Sequence, residues 1–302
     1  MPLNLHLLRL FVTVVQTGSF SRAADVLHIS QPAISKGVRD FELQVGCRLL
    51  DRTSKGVRVT REGEALVRHA ETLFAAERAA EEELLSLRSL DTGSLRIGAS
   101  TTIATYMIAQ YLGLFHKQYP GIELQLVNAN TRDVAELMLA HNIEIALIEG
   151  PVEVNGLLSE SWRSDVMELI TSPSHPLAQS GQPIEPKALE EEIMIIREPG
   201  SGSREIVAQA LSAHGVQTRR TLEIGGTEAI KQAVANGIGV SIVSRATVVD
   251  QLELGRLKTV PMKDLQISRT LWQLKVPGRI ETPAALAFER IIREKSGDDR
   301  PI

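Results

Sequence analysis

Residues 18–42, GSFSRAADVLHISQPAISKGVRDFE, constrain the fold more than any other stretch, because they encode two short helices joined by a tight turn. Ser21 is a good N-cap, and Ala23, Ala24 and Leu27 behind it give the first helix a small-residue face that another helix can approach closely. Ser30, Gln31 and Pro32 then supply a cap and a proline in the first helical turn, where the missing N–H has no intrahelical partner to lose. Ile34, Val38 and Phe41 recur as an inward stripe, which leaves Gln31, Ser35, Lys36 and Arg39 on or near the outer face. Upstream, Leu3, Leu7, Leu10, Phe11, Val14 and Val15 make the apolar face of a helix that closes a three-helix core. Gly37 interrupts the second helix at a cost of about 1 kcal/mol relative to Ala, a cost that close packing or close approach to a ligand justifies.

The outer face has the chemistry of a major-groove reader. An amide such as Gln31 bonds an adenine edge bidentately, the Ser35 hydroxyl reads several base edges, and Lys36 reaches guanine or a phosphate. The alternative is two ordinary packed helices with a solvated charged face. The next segment favours DNA: residues 48–60, RLLDRTSKGVRVT, read as two short strands around a basic, Gly-containing turn, a wing bearing Arg48, Arg52 and Lys55. Residues 1–61 carry nine Lys/Arg against four Asp/Glu, within a chain of 302 residues whose formal net charge is −4. Phosphate neutralisation needs only such a local footprint, so the acidic balance of the whole chain does not exclude double-stranded DNA.

The run from Phe20 to Thr60 resembles the winged helix-turn-helix of the LysR-type transcriptional regulators. SFSRAADVLHISQPAIS carries that family's alanine pair and its Ser-Gln-Pro-Ala-x-Ser helix entry, LLDRTSKGVRVTREG resembles its wing and linker start, and SPSHPLA and GIGVSIVS resemble phrases of its effector domain. The likeness spans nearly the whole chain. Phe41 and Val45 stand where leucines are more usual, Leu50 where Phe is, and Lys55 where Arg is, all swaps that keep packing type or charge. The resemblance implies a DNA-binding transcription factor of the cytoplasm that answers to a small-molecule effector. It further implies a homodimer or a tetramer built as a dimer of dimers, RNA polymerase as a further partner, and no catalysis.

Thr60 is placed to cap a long helix whose first turn carries Glu62 and Glu64, favourable near the positive end of the helix dipole. Leu66, Leu73, Ala80 and Leu87 recur every seven residues, supported by Ala70, Ala76 and Leu84, a spacing for helix–helix pairing. An amphipathic helix packed on its own domain is the alternative, and the family resemblance favours dimerisation.

From Asp91 onward strands alternate with helices, the pattern of an α/β fold. Expected strands are SLRIGAS, IELQLV, IEIALIEG, DVMELITS, EIMIIRE, TLEIG, GVSIVS and TLWQLKV; expected helices are 103–119, 134–139, 206–214, 229–236 and 283–295. The expected organisation is thus a winged helix-turn-helix at 1–60, a linker and dimerisation helix at 61–90 and an effector-binding domain at 91–302. The resemblance divides the last into two Rossmann-like subdomains similar to periplasmic binding proteins, about 91–162 with 268–302 and about 163–267, with a ligand cleft between them.

In such sheets ligands meet strand C-terminal ends and the following helix N-termini. Ser100, Thr101 and Thr102 occupy one such junction, as an anion site or as a plain helix cap. The polar loop Arg197, Glu198, Pro199, Gly200, Ser201, Gly202 and Ser203 forms a second, Gly225, Gly226 and Thr227 a third, and Glu149 ends a strand beside them. The expected ligand is a small carboxylate or other oxyanion held by Ser100, Thr102, Ser203 and Thr227, with Arg197 as charge partner.

Other chemistries find no motif. The seven histidines make no HExxH or metal-ligand spacing, there is no Gly-x-Ser-x-Gly elbow, and GSGS at 200–203 lacks the Gly-Lys-Ser/Thr of a phosphate loop. No cofactor or metal is therefore expected. An enzyme without a recognisable motif and a solute-binding α/β protein are the alternatives; the second has no use for a winged helix and shows no signal segment. Cys47, the single cysteine, reads as a packing residue, and SGDDRPI as a polar, frayed tail.

Overall fold

Asn4 sets the first helix start: its side chain accepts from the Leu7 N–H at 3.2 Å and opens α1 (Leu5–Thr17). The computed structural model describes residues 3–53, 56–86, 92–150 and 154–296, with backbone only at 52, 53, 56, 79, 82, 83, 85, 86, 295 and 296. It divides into two units, one up to Arg78 and one from Ala79 onward.

In the first unit α1 is followed by α2 (Phe20–Leu27) and α3 (Gln31–Val45). The cap of α2 is Ser19 rather than Ser21. Ser19 has extended backbone and its hydroxyl accepts from the Arg22 N–H, whereas Ser21 already lies in the first helical turn, exposed. Two serines two residues apart look alike in sequence; only one has the non-helical backbone a cap requires. α3 opens at Ser30 with Pro32 in its first turn, as expected. Ile34, Val38 and Phe41 are buried against Leu8, Leu10 and Phe11, each worth about 1.5–3 kcal/mol on full burial. A Cβ on Gly37 would collide with the Leu10 side chain, so that glycine serves the α1–α3 packing.

The wing is β1 (Leu50–Thr53) paired antiparallel with β2 (Gly56–Val59), from Leu50↔Val59 to Thr53↔Gly56. Ser54, Lys55 and the Arg52 side chain lie outside the described residues. Cys47 is exposed between α3 and β1, a correction to its reading as a packing residue: α3 has already ended at Gly46, and the core resumes only at Leu49.

Thr60 caps α4 (Arg61–Ser86), accepting from the Gly63 N–H at 3.1 Å. Leu66, Ala70 and Phe74 pack into the core of the first unit, and Arg9 of α1 holds Glu77 at 2.6 Å while lying over the Phe74 ring. Leu73 and Leu84 are 39% and 67% exposed. The seven-residue row is therefore divided, with Leu66 on its own domain and Leu73 facing outward; Leu87 lies outside the described residues.

The second unit begins by alternating strand and helix: β3 (Gly93–Ser100), a π-helical turn at Ile103–Met107, α5 (Ala109–Gln118), β4 (Ile122–Ala129), α6 (Thr131–Leu139) and β5 (Ile145–Glu149), with β3 parallel to both β4 and β5. The single helix expected over 103–119 is thus a π turn followed by α5. Next come β6 (Leu158–Thr171), α7 (Pro176–Gln179), β7 (Ile193–Ile196), α8 (Gly202–Ala213), β8 (Arg220–Glu223), α9 (Thr227–Ala235), β9 (Ser241–Ser244), α10 (Val249–Glu253), β10 (Lys258–Thr259), β11 (Ile267–Lys275) and α11 (Pro283–Ser296). The large sheet runs β10-β6-β11-β5-β3-β4, with β9 also on β6, while β7 and β8 form a parallel pair bridged to Val240. The first half of β6 pairs with β11, from Lys275↔Leu158 to Ile267↔Met167, and its second half pairs with β9 and β10. One apolar cluster gathers around Tyr111, Phe115 and Phe288 and another around Met194, Val207 and Leu211. The tail at 297–302 lies outside the described residues.

Candidate functional site

On α3, Gln31, Pro32, Lys36 and Arg39 are exposed and Ser35 is half-buried, so one helix face presents an amide, a hydroxyl and two cations. The wing beside it is fixed by Glu42 of the same helix. Its carboxylate accepts from the Leu49 N–H at 2.7 Å and the Leu50 N–H at 3.1 Å, at the entry to β1. Thr60 closes the far end, donating to the Arg48 carbonyl at 2.9 Å while its N–H bonds the Leu49 carbonyl. Arg48 is exposed in this entry turn and Ser21 is exposed on α2. Glu42 had no distinguishing signal in the sequence, because its partners are backbone groups of the next element.

The second site lies where β3, β5 and β7 end and the following helices begin. Glu149, 2% exposed at the end of β5, draws in most of the expected anion-binding groups. Ser100 donates to it at 3.1 Å, the Thr102 N–H at 2.9 Å, and the Ser203 hydroxyl also donates. Gly202 lets α8 come this close, since a Cβ there would clash with the Glu149 carbonyl. Arg269 of β11 completes the shell, its Nη1 2.7 Å from the Glu149 carboxylate and its Nε 2.8 Å from Asp165, the residue opposite it across the β6–β11 ladder. Ser244 donates to Asp165 at 2.9 Å. Burial alone pushes the Glu149 carboxyl up, but the Arg269 charge, the Ser203 and Thr102 hydrogen bonds and Arg197 outweigh it and hold it at about 2.

Arg197, 7% exposed, makes a second group with Thr101 and Thr227. Its Nε and Nη2 bond Glu198 at 2.7 Å, its Nη1 donates to the Thr227 hydroxyl and its Nη2 to the Thr101 hydroxyl, both at 3.3 Å. Arg197, with the Gly226 backbone at the start of α9, holds the Glu198 carboxyl below the usual carboxylate range against burial. Ser201 is buried at the N-cap of α8 without a side-chain capping bond. Two internal carboxylates, Glu149 and Glu198, therefore lie beside helix starts that the sequence leaves open to a ligand or to a plain cap. A cavity of about 310 Å³ adjoins both groups; Thr102, Arg197, Ser203, Thr227 and Ser244 line it.

Arg269, Asp165 and Ser244 are absent from the residues expected at the site, and Glu198 is expected only as a member of the polar loop 197–203. For the first two a signal existed: the inward phase of β11 contains Ile267, Arg269 and Leu271, and that of β6 contains Asp165, Met167 and Leu169, so each strand carries a charge among its buried positions. Among the described residues no cluster of His, Cys, Asp or Glu is placed to hold a metal ion, and no helix is long and apolar enough to cross a membrane.

A winged helix-turn-helix followed by a long helix and a curled-sheet domain with a cavity at its strand ends defines a DNA-binding regulator with an effector domain. Two family models match this chain, a bacterial regulatory helix-turn-helix protein of the lysR family over residues 5–64 and a LysR substrate binding domain over residues 88–297. The chain belongs to the LysR-type family of transcriptional regulators. It is 35% identical over 274 residues to the uncharacterized HTH-type transcriptional regulator YeiE of Escherichia coli, covering 91% of this chain and 92% of that one. It is 32% identical over 292 residues to the RuBisCO operon transcriptional regulator of Allochromatium vinosum, covering 97% and 96%. A full-length OxyR variant from Pseudomonas aeruginosa shares the fold, with a TM-score of 0.76 at 23% identity over 98% of this chain and 95% of that one. The regulatory domain of Synechocystis CcmR, solved in complex with 2-PG, has a TM-score of 0.63 at 30% identity over 68% of this chain and 98% of that one.

Proposed function

We propose that this regulator binds promoter DNA through Ser21, Gln31, Pro32, Ser35, Lys36, Arg39, Arg48, Arg52 and Lys55, and that a small oxyanionic effector at the cavity alters that binding. The carrying observation is the buried Arg197, held by Glu198 on one side and bonded to Thr101 and Thr227 on the other, at the wall of the cavity. The complex of CcmR with 2-PG supports an anionic effector. Thr101, Thr102, Arg197, Ser203, Gly226 and Thr227 surround the ligand in this reading. Ser100, Ser201 and Glu149 act behind them: Glu149 orients Ser203 and the start of the π-helical turn.

The domains are 1–60, 61–90 and 91–302, with β6 and β11 as the crossovers between two effector subdomains, about 91–162 with 268–302 and about 163–267. Effector binding changes the angle between those subdomains and so the spacing of paired DNA-reading heads. Leu73 and Leu84, exposed on α4, provide apolar contacts for a homodimer, itself half of a tetramer. The protein works in the cytoplasm, meets RNA polymerase on the promoter, needs no cofactor and catalyses no reaction.

Calorimetric titration with small carboxylates, phosphorylated acids and inorganic oxyanions tests the reading, followed by a DNA shift assay with and without the acid that binds. Saturable binding of an anion that changes the shifted fraction is expected. Binding confined to cations or neutral compounds rejects it.

A further inference from the structure

The cavity has two chemically distinct ends, and the contrast narrows the class of effector. Its polar end is Thr102, Arg197, Ser203 and Thr227. Beyond it the wall is mainly apolar, formed by Met194, Val207, Leu211, Ile230 and Ile242 between α8, α9 and the strands β7 and β9, with the hydroxyls of Thr218, Thr221 and Ser241 among them, the last donating to the Ile195 carbonyl. Among the described lining residues Arg197 and Arg204 are the cations, and none is acidic. The acids that hold these two, Glu198 at 2.7 Å from Arg197 and Glu223 at 2.7 Å from Arg204, stand outside the lining. Charge therefore favours an anionic head, and apart from Arg204, held by Glu223, the rest of the lining offers a ligand only neutral hydroxyls and apolar side chains. A compact polyanion leaves that wall facing water, whereas an acid with an apolar body covers it.

We infer that this cavity takes an organic acid with one oxyanionic head and an apolar body. The head meets Arg197 and Thr227, and the body lies against Val207, Leu211 and Ile242. The inference rests on reading the cavity as the effector site.

The experiment is calorimetric titration of the full-length protein with acetate, butanoate and hexanoate, alongside hexanol and inorganic phosphate. Affinity is expected to rise by roughly fourfold for each added methylene that enters the cavity. Hexanol is expected to bind at least tenfold more weakly than hexanoate. A series that stays flat with chain length, or phosphate binding tighter than every organic acid, overturns the apolar body and leaves an anion sensor standing. Hexanol binding as tightly as hexanoate removes the anion requirement, and with it the broader reading. Absence of binding by all the anions rejects both. Ala208 lines the cavity from the exposed side of α8, so Ala208→Phe adds a ring toward the apolar wall without a buried substitution. It is expected to abolish the gain from acetate to hexanoate; hexanoate binding as tight as in the parent protein places the body elsewhere. The parent series decides the question alone if that variant does not fold.

Discussion

The Arg269 guanidinium lies 2.7 Å from the Glu149 carboxylate, both almost fully buried, and the same guanidinium faces Asp165 across the paired strands β6 and β11. One cation thus serves two buried anions. Removing it leaves Asp165 without its cation and Glu149 with only the charge of Arg197, to which it is not bonded, whereas removing Glu149 leaves Arg269 a partner in Asp165. Arg269→Gln is therefore expected to destabilise the C-terminal unit by about 3–5 kcal/mol, and Glu149→Gln by less. Denaturant unfolding of each single variant and of the double variant measures this, and the destabilisation of the double variant should be smaller than the sum of the two single effects. Strict additivity would show that the pair does not act as one network.

Glu149 also makes stability depend on pH in a definite direction. Its carboxyl is lowered from an ordinary 4.5 to about 2 in the folded protein, so the unfolded chain takes up the proton first as pH falls. The contribution is complete above 4.5 and declines progressively between 4.5 and 2. Glu198 and Glu228 are lowered as well, against burial, by Arg197 and Lys231 respectively, and add slope of the same sign. Thermal melts between pH 6 and 3 are expected to fall more steeply for the parent protein than for Glu149→Gln; parallel curves reject the assignment.

The readable parts of this molecule were those whose causes are local. The caps at Ser30 and Thr60, the inward stripe Ile34–Val38–Phe41 and the wing strands depend on residues a few positions apart, and the structure realises each. Ser19 escaped because capping is decided by backbone angles, and Ser21 beside it has the same side chain. Arg269 and Asp165 escaped because their meaning depends on pairing two strands about a hundred residues apart. In a single strand pattern, a charge at an inward position announces burial without announcing its partner. Ser100, Thr102 and Ser203 stand at strand-to-helix junctions that the sequence marks as polar, yet the anion they hold in the structure is the chain's own Glu149.

Glu42 ties the wing to the reading helix, with two Leu N–H groups on one carboxylate oxygen. Glu42→Ala leaves both part-buried donors unsatisfied, at about 1–3 kcal/mol each before any rearrangement. The expected result is a wing released from α3, weaker binding to all duplexes alike, and unchanged ranking among them. Fluorescence anisotropy on a set of related duplexes, with hydrogen exchange at Leu49 and Leu50, reads both effects. Protected amides at those positions in Glu42→Ala would remove the anchor role.

The exposed face of α3 separates two kinds of DNA recognition that salt can distinguish. Gln31 has an amide suited to a base edge and no charge, so Gln31→Ala should reduce discrimination among duplexes selected from random sequence while leaving the salt dependence intact. A good bidentate bond to the correct base supplies about 1–3 kcal/mol of that discrimination. Arg39 and Arg52 are expected to grip phosphates. Arg39→Ala and Arg52→Ala should each weaken binding to every duplex and lower the slope of log affinity against log salt by about 0.9 for each phosphate no longer neutralised. Equal weakening on all sequences for Gln31→Ala would remove it from base reading, and an unchanged salt slope in both arginine variants would place the phosphate grip on other residues.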